Sequence, residues 1–113
     1  MSSNLERLWN ANIHYHPVVL ASIPREARRV LDVGCGDGIL SAALARAGVR
    51  HVVGLDLDAG VLERAKARHV DGGIEWLQGD LFTVPFERQS FDAVVAVATW
   101  HHVDAEALIW TKP

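Results

Sequence analysis

One glycine-rich segment constrains this chain more than any other. Residues 30–33 (VLDV) form a short apolar run rich in β-branched side chains, and residues 34–38 (GCGDG) follow at once. The run favours a buried strand, and three glycines in five positions favour a backbone turn that other residues rarely adopt. Residues 39–47 then predict a helix that Gly48 closes. A strand, a special turn and a helix are therefore expected in that order, and residues 34–38 are called the glycine loop below.

The same alternation continues along the chain. Strands are predicted at residues 52–57, 74–77 and 91–98, and Asp58 is placed to cap a helix at residues 59–70. The strand at 91–98 is apolar on both faces, which is typical of a strand inside a sheet. Asp104 is expected to cap a last helix at residues 105–110. Alternating strands and helices predict an α/β, doubly wound fold with a mostly parallel sheet.

The first 29 residues differ from the rest and predict an N-terminal helical segment. Apolar residues at helical spacing favour an amphipathic helix at 4–13, and a second short helix is expected at 18–22. Pro24 then opens a charged lead-in to the first strand. We therefore divide the chain into a helical segment, residues 1–29, and an α/β unit, residues 30–113.

Composition narrows the possible ligands and locations. The chain has 113 residues, of which 50% are apolar and 22% charged, enough for one buried core. Its net charge of -3 provides no general attraction to nucleic acid or to anionic lipid, and no apolar run is long enough to span a bilayer. A single cysteine and the lack of an export signal predict a cytoplasmic location. A small soluble ligand is the expectation that follows.

Acidic residues gather where such a sheet binds its ligand. In doubly wound sheets the site lies at the carboxyl ends of the strands, beside the point where the strand order reverses. The aspartates near these ends are Asp32, Asp37, Asp56, Asp58 and Asp80. So many carboxylates disfavour a phosphate and favour a cationic or neutral ligand. Asp56, at a strand end, suits a ribose diol because its two oxygens can accept from two hydroxyls.

Two phosphate-binding alternatives fit the glycine loop less well. A dinucleotide fingerprint needs a small residue five positions after its first glycine, where this chain has Ile39. A Walker loop needs the sequence Gly-Lys-Ser/Thr, which is absent. A nicotinamide-dependent oxidoreductase therefore stays open only as a less favoured hypothesis.

Four segments together resemble a known family. Residues 31–38 (LDVGCGDG), 54–56 (GLD), 79–80 (GD) and 91–95 (FDAVV) look like the successive motifs of class I S-adenosylmethionine-dependent methyltransferases. The resemblance spans about residues 30 to 103, and the chain is similar to the small-molecule methyltransferases of the ubiquinone and menaquinone biosynthesis type. It implies a Rossmann-like sheet of order 3-2-1-4, S-adenosylmethionine as cofactor and a small-molecule methyl acceptor.

At the methionine end of the cofactor, the resemblance implies mainly backbone contacts. Asp32 would orient the ammonium group, and Val97 would present its carbonyl to that group. The remaining contacts would come from the glycine loop, through Gly34, Cys35, Gly36 and Gly38. This acidic surrounding suits a cofactor that carries a sulfonium and no phosphate.

At the adenosine end, the resemblance implies four side-chain or backbone contacts. Asp56 would hold the ribose hydroxyls, and Leu57 would pack on the adenine. Asp80 would accept from the adenine amine, and Leu81 would offer its backbone amide. These roles agree with the strand-end positions found from the residues alone.

The catalytic group is less well specified. His101 and His102 follow the fourth predicted strand, where one of them would serve as a general base toward the methyl acceptor. The alternative is a packing or capping role for both histidines. Cys35 is more consistent with a small residue tolerated beside the ligand than with a nucleophile, and no metal site is expected because no ligand spacing is complete.

The length leaves a second functional hypothesis open. The family's acceptor-binding residues lie beyond the fourth strand, so the chain resembles the cofactor-binding half of a domain that is short at its C-terminus. A truncated or non-catalytic S-adenosylmethionine-binding module is therefore the alternative to an active enzyme. In such a half-domain the strand at 91–98 would be an exposed edge, which predicts self-association through it.

Overall fold

The computed structural model describes residues 15–70, 72–87, 90–100 and 104–111. Three helices and five strands make up this part of the chain. They are α1 (Tyr15–Ser22), β1 (Arg29–Val33), α2 (Ile39–Arg46), β2 (His51–Asp56), α3 (Ala59–Arg68), β3 (Ile74–Gln78), β4 (Ala93–Trp100) and β5 (Asp104–Thr111). No helix in these ranges has the length and apolar character needed to cross a bilayer.

The strands form one twisted sheet in the order β3-β2-β1-β4-β5. The first four strands are parallel, with β1 between β2 and β4, and β5 runs antiparallel to β4. The predicted α/β class and the strand order 3-2-1-4 are therefore confirmed. Because the order reverses between β1 and β4, the glycine loop leaves the sheet at its topological switch point.

The sheet carries a core on each face, as the alternation of its side chains requires. Val30 and Val52 belong to one cluster, into which α1 contributes Val19 and α2 contributes Leu44. The second cluster comprises Leu31, Val53, Leu55 and Phe91 and is closed by partly buried residues of the loop after β3, Val84 and Phe86. Both faces of β1 are thus packed against a core, which fixes the position of the strand from which the glycine loop begins.

Local capping chemistry positions α3 as predicted. The Asp58 side chain accepts hydrogen bonds from the backbone N–H of Gly60 at 2.8 Å and of Val61 at 3.3 Å. These contacts satisfy two of the helix's otherwise unpaired N–H groups. Helix α2 instead begins after Gly38, whose φ of 83° lies in the left-handed region and which has no side-chain cap.

The prediction of a helix at residues 105–110 is wrong. These residues lie in β5, which pairs with β4 from Ala93 opposite Thr111 to Trp100 opposite Asp104. An unpaired β4 would leave a row of backbone donors and acceptors without partners, and β5 satisfies that row. Local spacing alone could not reveal this, since Asp104 suits a helix cap and a strand start equally well.

The expected exposed edge at the fourth strand is overturned by the same pairing. Strand β4 has β1 on one side and β5 on the other. Self-association through an unpaired β4 is therefore no longer expected. Two other predictions, the helix at residues 4–13 and the roles of His101 and His102, fall outside the described residues.

Candidate functional site

The glycine loop is shaped by left-handed backbone conformations. Gly34, Gly36 and Gly38 have φ angles of 71°, 56° and 83°. The backbone N–H groups of Gly34 and Cys35 both donate to the carbonyl of Leu55, at 2.7 and 2.9 Å, which ties the loop to β2. A Cβ atom added at Gly34 or Gly36 would meet no atom of the described residues within 4 Å. The loop backbone therefore faces open space in which a ligand can approach closely.

Asp56 links the end of β2 to this loop. Its Oδ2 accepts from the backbone N–H of Gly36 at 2.9 Å, and its Oδ1 accepts from the N–H of Asp58 at 3.0 Å. A carboxylate oxygen has two lone pairs, so each oxygen keeps one for a further donor. The carboxylate is thus oriented by the backbone and still able to accept from a diol.

An open cleft of about 340 Å³ lies beside Asp56 at the carboxyl ends of β1, β2 and β3. This volume lies within the range of small-molecule sites, about 300 to 1,000 Å³. Leu57 and Phe82 at its border are 69% and 91% exposed, so large apolar surface faces the cleft. The lining residues are Val33, Gly34, Leu55, Asp56, Leu57, Gly79, Asp80, Leu81 and Phe82.

The loop after β3 is folded back on Asp80. The Asp80 side chain accepts a hydrogen bond from the N–H of Phe82 at 2.9 Å, and the Asp80 carbonyl accepts from the N–H groups of Thr83 and Val84. The N–H of Leu81 makes no hydrogen bond to any residue in the described ranges. The cleft therefore offers a carboxylate acceptor and a backbone donor side by side.

Asp32 lies behind the glycine loop and is not among the lining residues of the cleft. Its side chain is 2% exposed, and its Oδ2 accepts from the Ser41 hydroxyl of α2 at 2.7 Å. Burial raises the pKa of Asp32 to about 7, the nearby charge of Asp56 adds to this, and the Ser41 hydrogen bond opposes it. The structure thus places this carboxyl where it joins the loop to α2, not where it opens onto the cleft.

Cys35 is buried in the loop and carries a thiol of low reactivity. Burial raises the pKa of Cys35 to about 12, and the charges of Asp32 and Asp56 add to the effect. A thiol with this pKa is protonated near neutral pH, whereas the thiolate is the nucleophile. This supports the interpretation of Cys35 as a small residue beside the ligand.

The predicted site residues converge at one edge of the sheet. Gly34, Asp56, Leu57, Asp80 and Leu81 line the same cleft. The rest of the glycine loop adjoins it through the bond between Gly36 and Asp56. Val97 follows Ala96, the residue paired with Val33, so its backbone lies beside the start of the loop.

Sequence reasoning missed the part that Trp76 plays beside this site. Trp76 lies opposite Gly54 in the register of β3 and β2, and its indole also reaches Gly38 of the glycine loop. No role at the site is predicted for Trp76 from the sequence. The signal was Gly54 inside an apolar strand, since such a glycine often marks the close approach of another group.

Comparison with known proteins identifies the family. The model of the family described as "Methyltransferase domain" matches residues 30–110. An uncharacterized methyltransferase of Mycobacterium tuberculosis is 45% identical over 100 residues, which cover 88% of this chain and 50% of the relative. A demethylmenaquinone methyltransferase of Clavibacter sepedonicus is 41% identical over 95 residues, 83% of this chain and 36% of that protein.

A solved structure shares the same fold. The S-adenosylmethionine-dependent methyltransferase from Mesorhizobium loti superposes with a TM-score of 0.63 at 33% identity, over 71% of this chain and 38% of that one. Fold and relatives together are those of the class I S-adenosylmethionine-dependent methyltransferases. The chain belongs to the methyltransferase domain family, whose cofactor is S-adenosylmethionine. It spans about half the length of the mycobacterial relative it matches.

Proposed function

We propose that residues 30–113 bind S-adenosylmethionine through the glycine loop and the adjoining cleft, as the cofactor-binding half of an enzyme that methylates a small molecule. The observation that carries this proposal is the setting of Asp56. Its carboxylate is oriented by two backbone N–H groups and stands between the open glycine loop and an apolar cleft.

The residues present fit the cofactor at its adenosine end. Asp56 would accept from both ribose hydroxyls through its remaining lone pairs. Leu57 provides exposed apolar surface for the adenine, and the ring's edge would meet the carboxylate of Asp80 and the N–H of Leu81. Burying this apolar surface against the base would contribute about 25 cal/mol per Å² removed from water.

They also fit the methionine end. Among the residues that the structure describes, none fills the space beside Gly34 and Gly36, which leaves room for an aminoacyl group against the backbone. Asp32 would contribute indirectly. It accepts a hydrogen bond from Ser41, which joins the start of the loop to α2, and its carboxyl group would lie behind the ammonium. The carbonyl of Val97, at the neighbouring strand end, is proposed to accept from the same ammonium.

The chemistry needed from the protein is modest. When bound, S-adenosylmethionine supplies an electrophilic methyl group on a sulfonium. The chain's own residues would then contribute proximity, orientation and an acidic environment for that positive charge. His101 and His102 remain the proposed candidates for taking a proton from the acceptor.

The small-molecule class of the acceptor is supported by the relatives. The protein from Clavibacter sepedonicus is named as a demethylmenaquinone methyltransferase, so an acceptor of quinol type is the first to test. The acidic residues gathered around the site disfavour a nucleic-acid acceptor. The cytoplasmic location predicted from the lone cysteine stays a prediction.

A second candidate is a module that binds the cofactor and does not turn it over. The groups proposed for the cofactor all come from segments 32–57 and 80–97, and none of them is placed as a general base. Such a module would show the same affinity for S-adenosylmethionine and no product.

Calorimetric titration of the chain with S-adenosylmethionine, S-adenosylhomocysteine and NAD tests the binding. We expect saturable binding of S-adenosylmethionine and of S-adenosylhomocysteine, and no binding of NAD. A parallel assay with cofactor labelled in its methyl group, using quinol and phenol acceptors, then separates the enzyme from the module. Saturable binding of NAD alone would overturn the proposal and restore the oxidoreductase hypothesis.

A further inference from the structure

The indole of Trp76 occupies a slot made by two glycines. A Cβ at Gly54 would lie 2.8 Å from Cε3 of Trp76 and 3.1 Å from the sulfur of Cys35. A Cβ at Gly38 would lie 2.9 Å from Cζ3 of the same indole and 3.1 Å from Cδ2 of His69. Cβ atoms essentially never lie within 3.0 Å of such a neighbour, so a side chain at either position would displace the ring. The Trp76 side chain therefore packs against both Gly54 of β2 and Gly38 at the C-terminal end of the glycine loop.

His69, at the C-terminal end of α3, adds to this packing. Its ring stacks on Trp76 with centroids 6.2 Å apart and an angle of 27° between the planes. Its Nε2 lies 3.1 Å from the backbone carbonyl of Asp37. A carbonyl only accepts, so His69 donates through Nε2. Arg68 adds an ion pair to the Asp37 carboxylate at 3.3 Å, which is exposed and expected to matter less.

These contacts stabilise the conformation of the glycine loop, whose backbone has unusual freedom. A loop with three glycines loses more backbone freedom on ordering than a loop of the same length without glycine. Hydrogen bonds to Leu55 and Asp56 attach the loop to β2 at Gly34, Cys35 and Gly36. The contacts that His69 and Trp76 make with Asp37 and Gly38 stabilise the other end of the loop. A loop already held in its bound shape binds more tightly, because less entropy is lost on binding.

We propose that His69 and Trp76 are positioning residues that keep the glycine loop in the conformation that binds S-adenosylmethionine. Neither is among the lining residues of the cleft, so they act through Asp37 and Gly38. The inference rests on the proposed function, since it concerns affinity for the same cofactor.

The test compares three histidine variants of the full chain. His69→Ala removes the donor and the stacking ring and is expected to weaken binding of S-adenosylhomocysteine about fivefold. His69→Gln keeps an N–H donor and is expected to restore part of that loss. His51→Ala is the matched control, because His51 makes a similar exposed contact of 3.1 Å, to Glu75, at the opposite end of β2.

Affinity is measured by calorimetry, and amide hydrogen exchange of residues 34–38 gives a readout without ligand. In His69→Ala these amides are expected to exchange faster, including the Gly38 N–H that donates to the Cys35 carbonyl at 3.0 Å. Equal affinity and equal exchange in His69→Ala and the parent chain overturn the inference. So does an equal loss of affinity in His51→Ala, which points to general destabilisation.

A variant of Trp76 tests whether this residue, as well as His69, positions the loop. Trp76→Phe retains an aromatic ring but leaves part of the slot empty, and a loss of about threefold in affinity is expected at temperatures well below unfolding. Unchanged affinity and exchange in this variant remove Trp76 from the proposal. If the parent chain binds no S-adenosylmethionine, the proposed function fails, whereas binding by the parent with unchanged variants defeats only this inference.

Discussion

At each end of the parallel strands a carboxylate accepts hydrogen bonds from two backbone N–H groups, and the carboxylate at the carboxyl end borders an open cleft. At the amino end, the Asp92 carboxylate accepts from the backbone N–H groups of Arg28 and Arg29 at 2.7 and 3.0 Å. At the carboxyl end, Asp56 likewise accepts from two backbone N–H groups. The amino end closes on itself, with the Arg29 guanidinium 4.9 Å from the centre of the Phe91 ring. The carboxyl end stays open, because glycines replace side chains where Asp56 faces the loop.

This comparison teaches that an oriented carboxylate is not by itself a binding site. Asp92 lies against the backbone at the start of β1, whereas Asp56 borders a cleft of about 340 Å³. Open space next to an oriented acceptor distinguishes the two, and three predictions follow from that difference.

The largest effect is expected from replacing the two aspartates in turn. Asp56→Ala removes the proposed ribose acceptor, and affinity for S-adenosylmethionine is expected to fall about tenfold to a few hundredfold. Asp92→Ala is expected to lower the free energy of unfolding by about 1 to 3 kcal/mol with affinity unchanged. Calorimetry and denaturant unfolding measure the two quantities separately. Unchanged affinity in Asp56→Ala would remove the assigned role.

A smaller effect is expected from the ionisation of Asp32. Because its folded pKa is raised from 3.8 to about 7, its contribution to stability is complete below pH 3.8 and is lost as the pH rises through 7. Between pH 6 and pH 8 this group alone is expected to lower the free energy of unfolding by about 1 to 2 kcal/mol. Asp32→Asn should flatten that part of the profile in urea unfolding. A profile identical to that of the parent chain would contradict the shift.

The smallest of the three effects concerns the cap of α3. Asp58→Ala removes the side chain that accepts from Gly60 and Val61, and a loss of about 1 kcal/mol in unfolding free energy is expected. Affinity should stay near that of the parent, because Asp58 reaches Asp56 only through its backbone N–H. Glu63→Ala, which breaks an exposed ion pair with Lys66 on the same helix, serves as the control. An equal loss in both variants would count against a specific capping role.

Much of the carboxyl end could be predicted from sequence, because its signals are local. Three closely spaced glycines predict positive φ, and the structure has them at Gly34, Gly36 and Gly38. An aspartate before a helix predicts a cap, as Asp58 provides. The parallel order 3-2-1-4 followed from alternating elements together with the family resemblance.

Other features could not be predicted because they depend on distant partners. Residues 104–111 form a strand only because β4 offers an unpaired side. Asp32 is buried and bonded to Ser41 because α2 packs over the end of β1. Trp76 reaches Gly38 across β2, a contact that separation along the chain conceals.

The sequence by itself determined the glycine loop, the strand-end aspartates and the alternation that brings them to one edge of a parallel sheet. These are properties of backbone freedom and hydrophobic period, which each segment carries alone. Only the tertiary structure decided that Asp32 supports the loop from behind, that Asp56 borders an open cleft, and that β5 covers β4. Burial, hydrogen-bond partners and strand pairing arise between segments far apart in the chain, so they exist only once those segments are packed together.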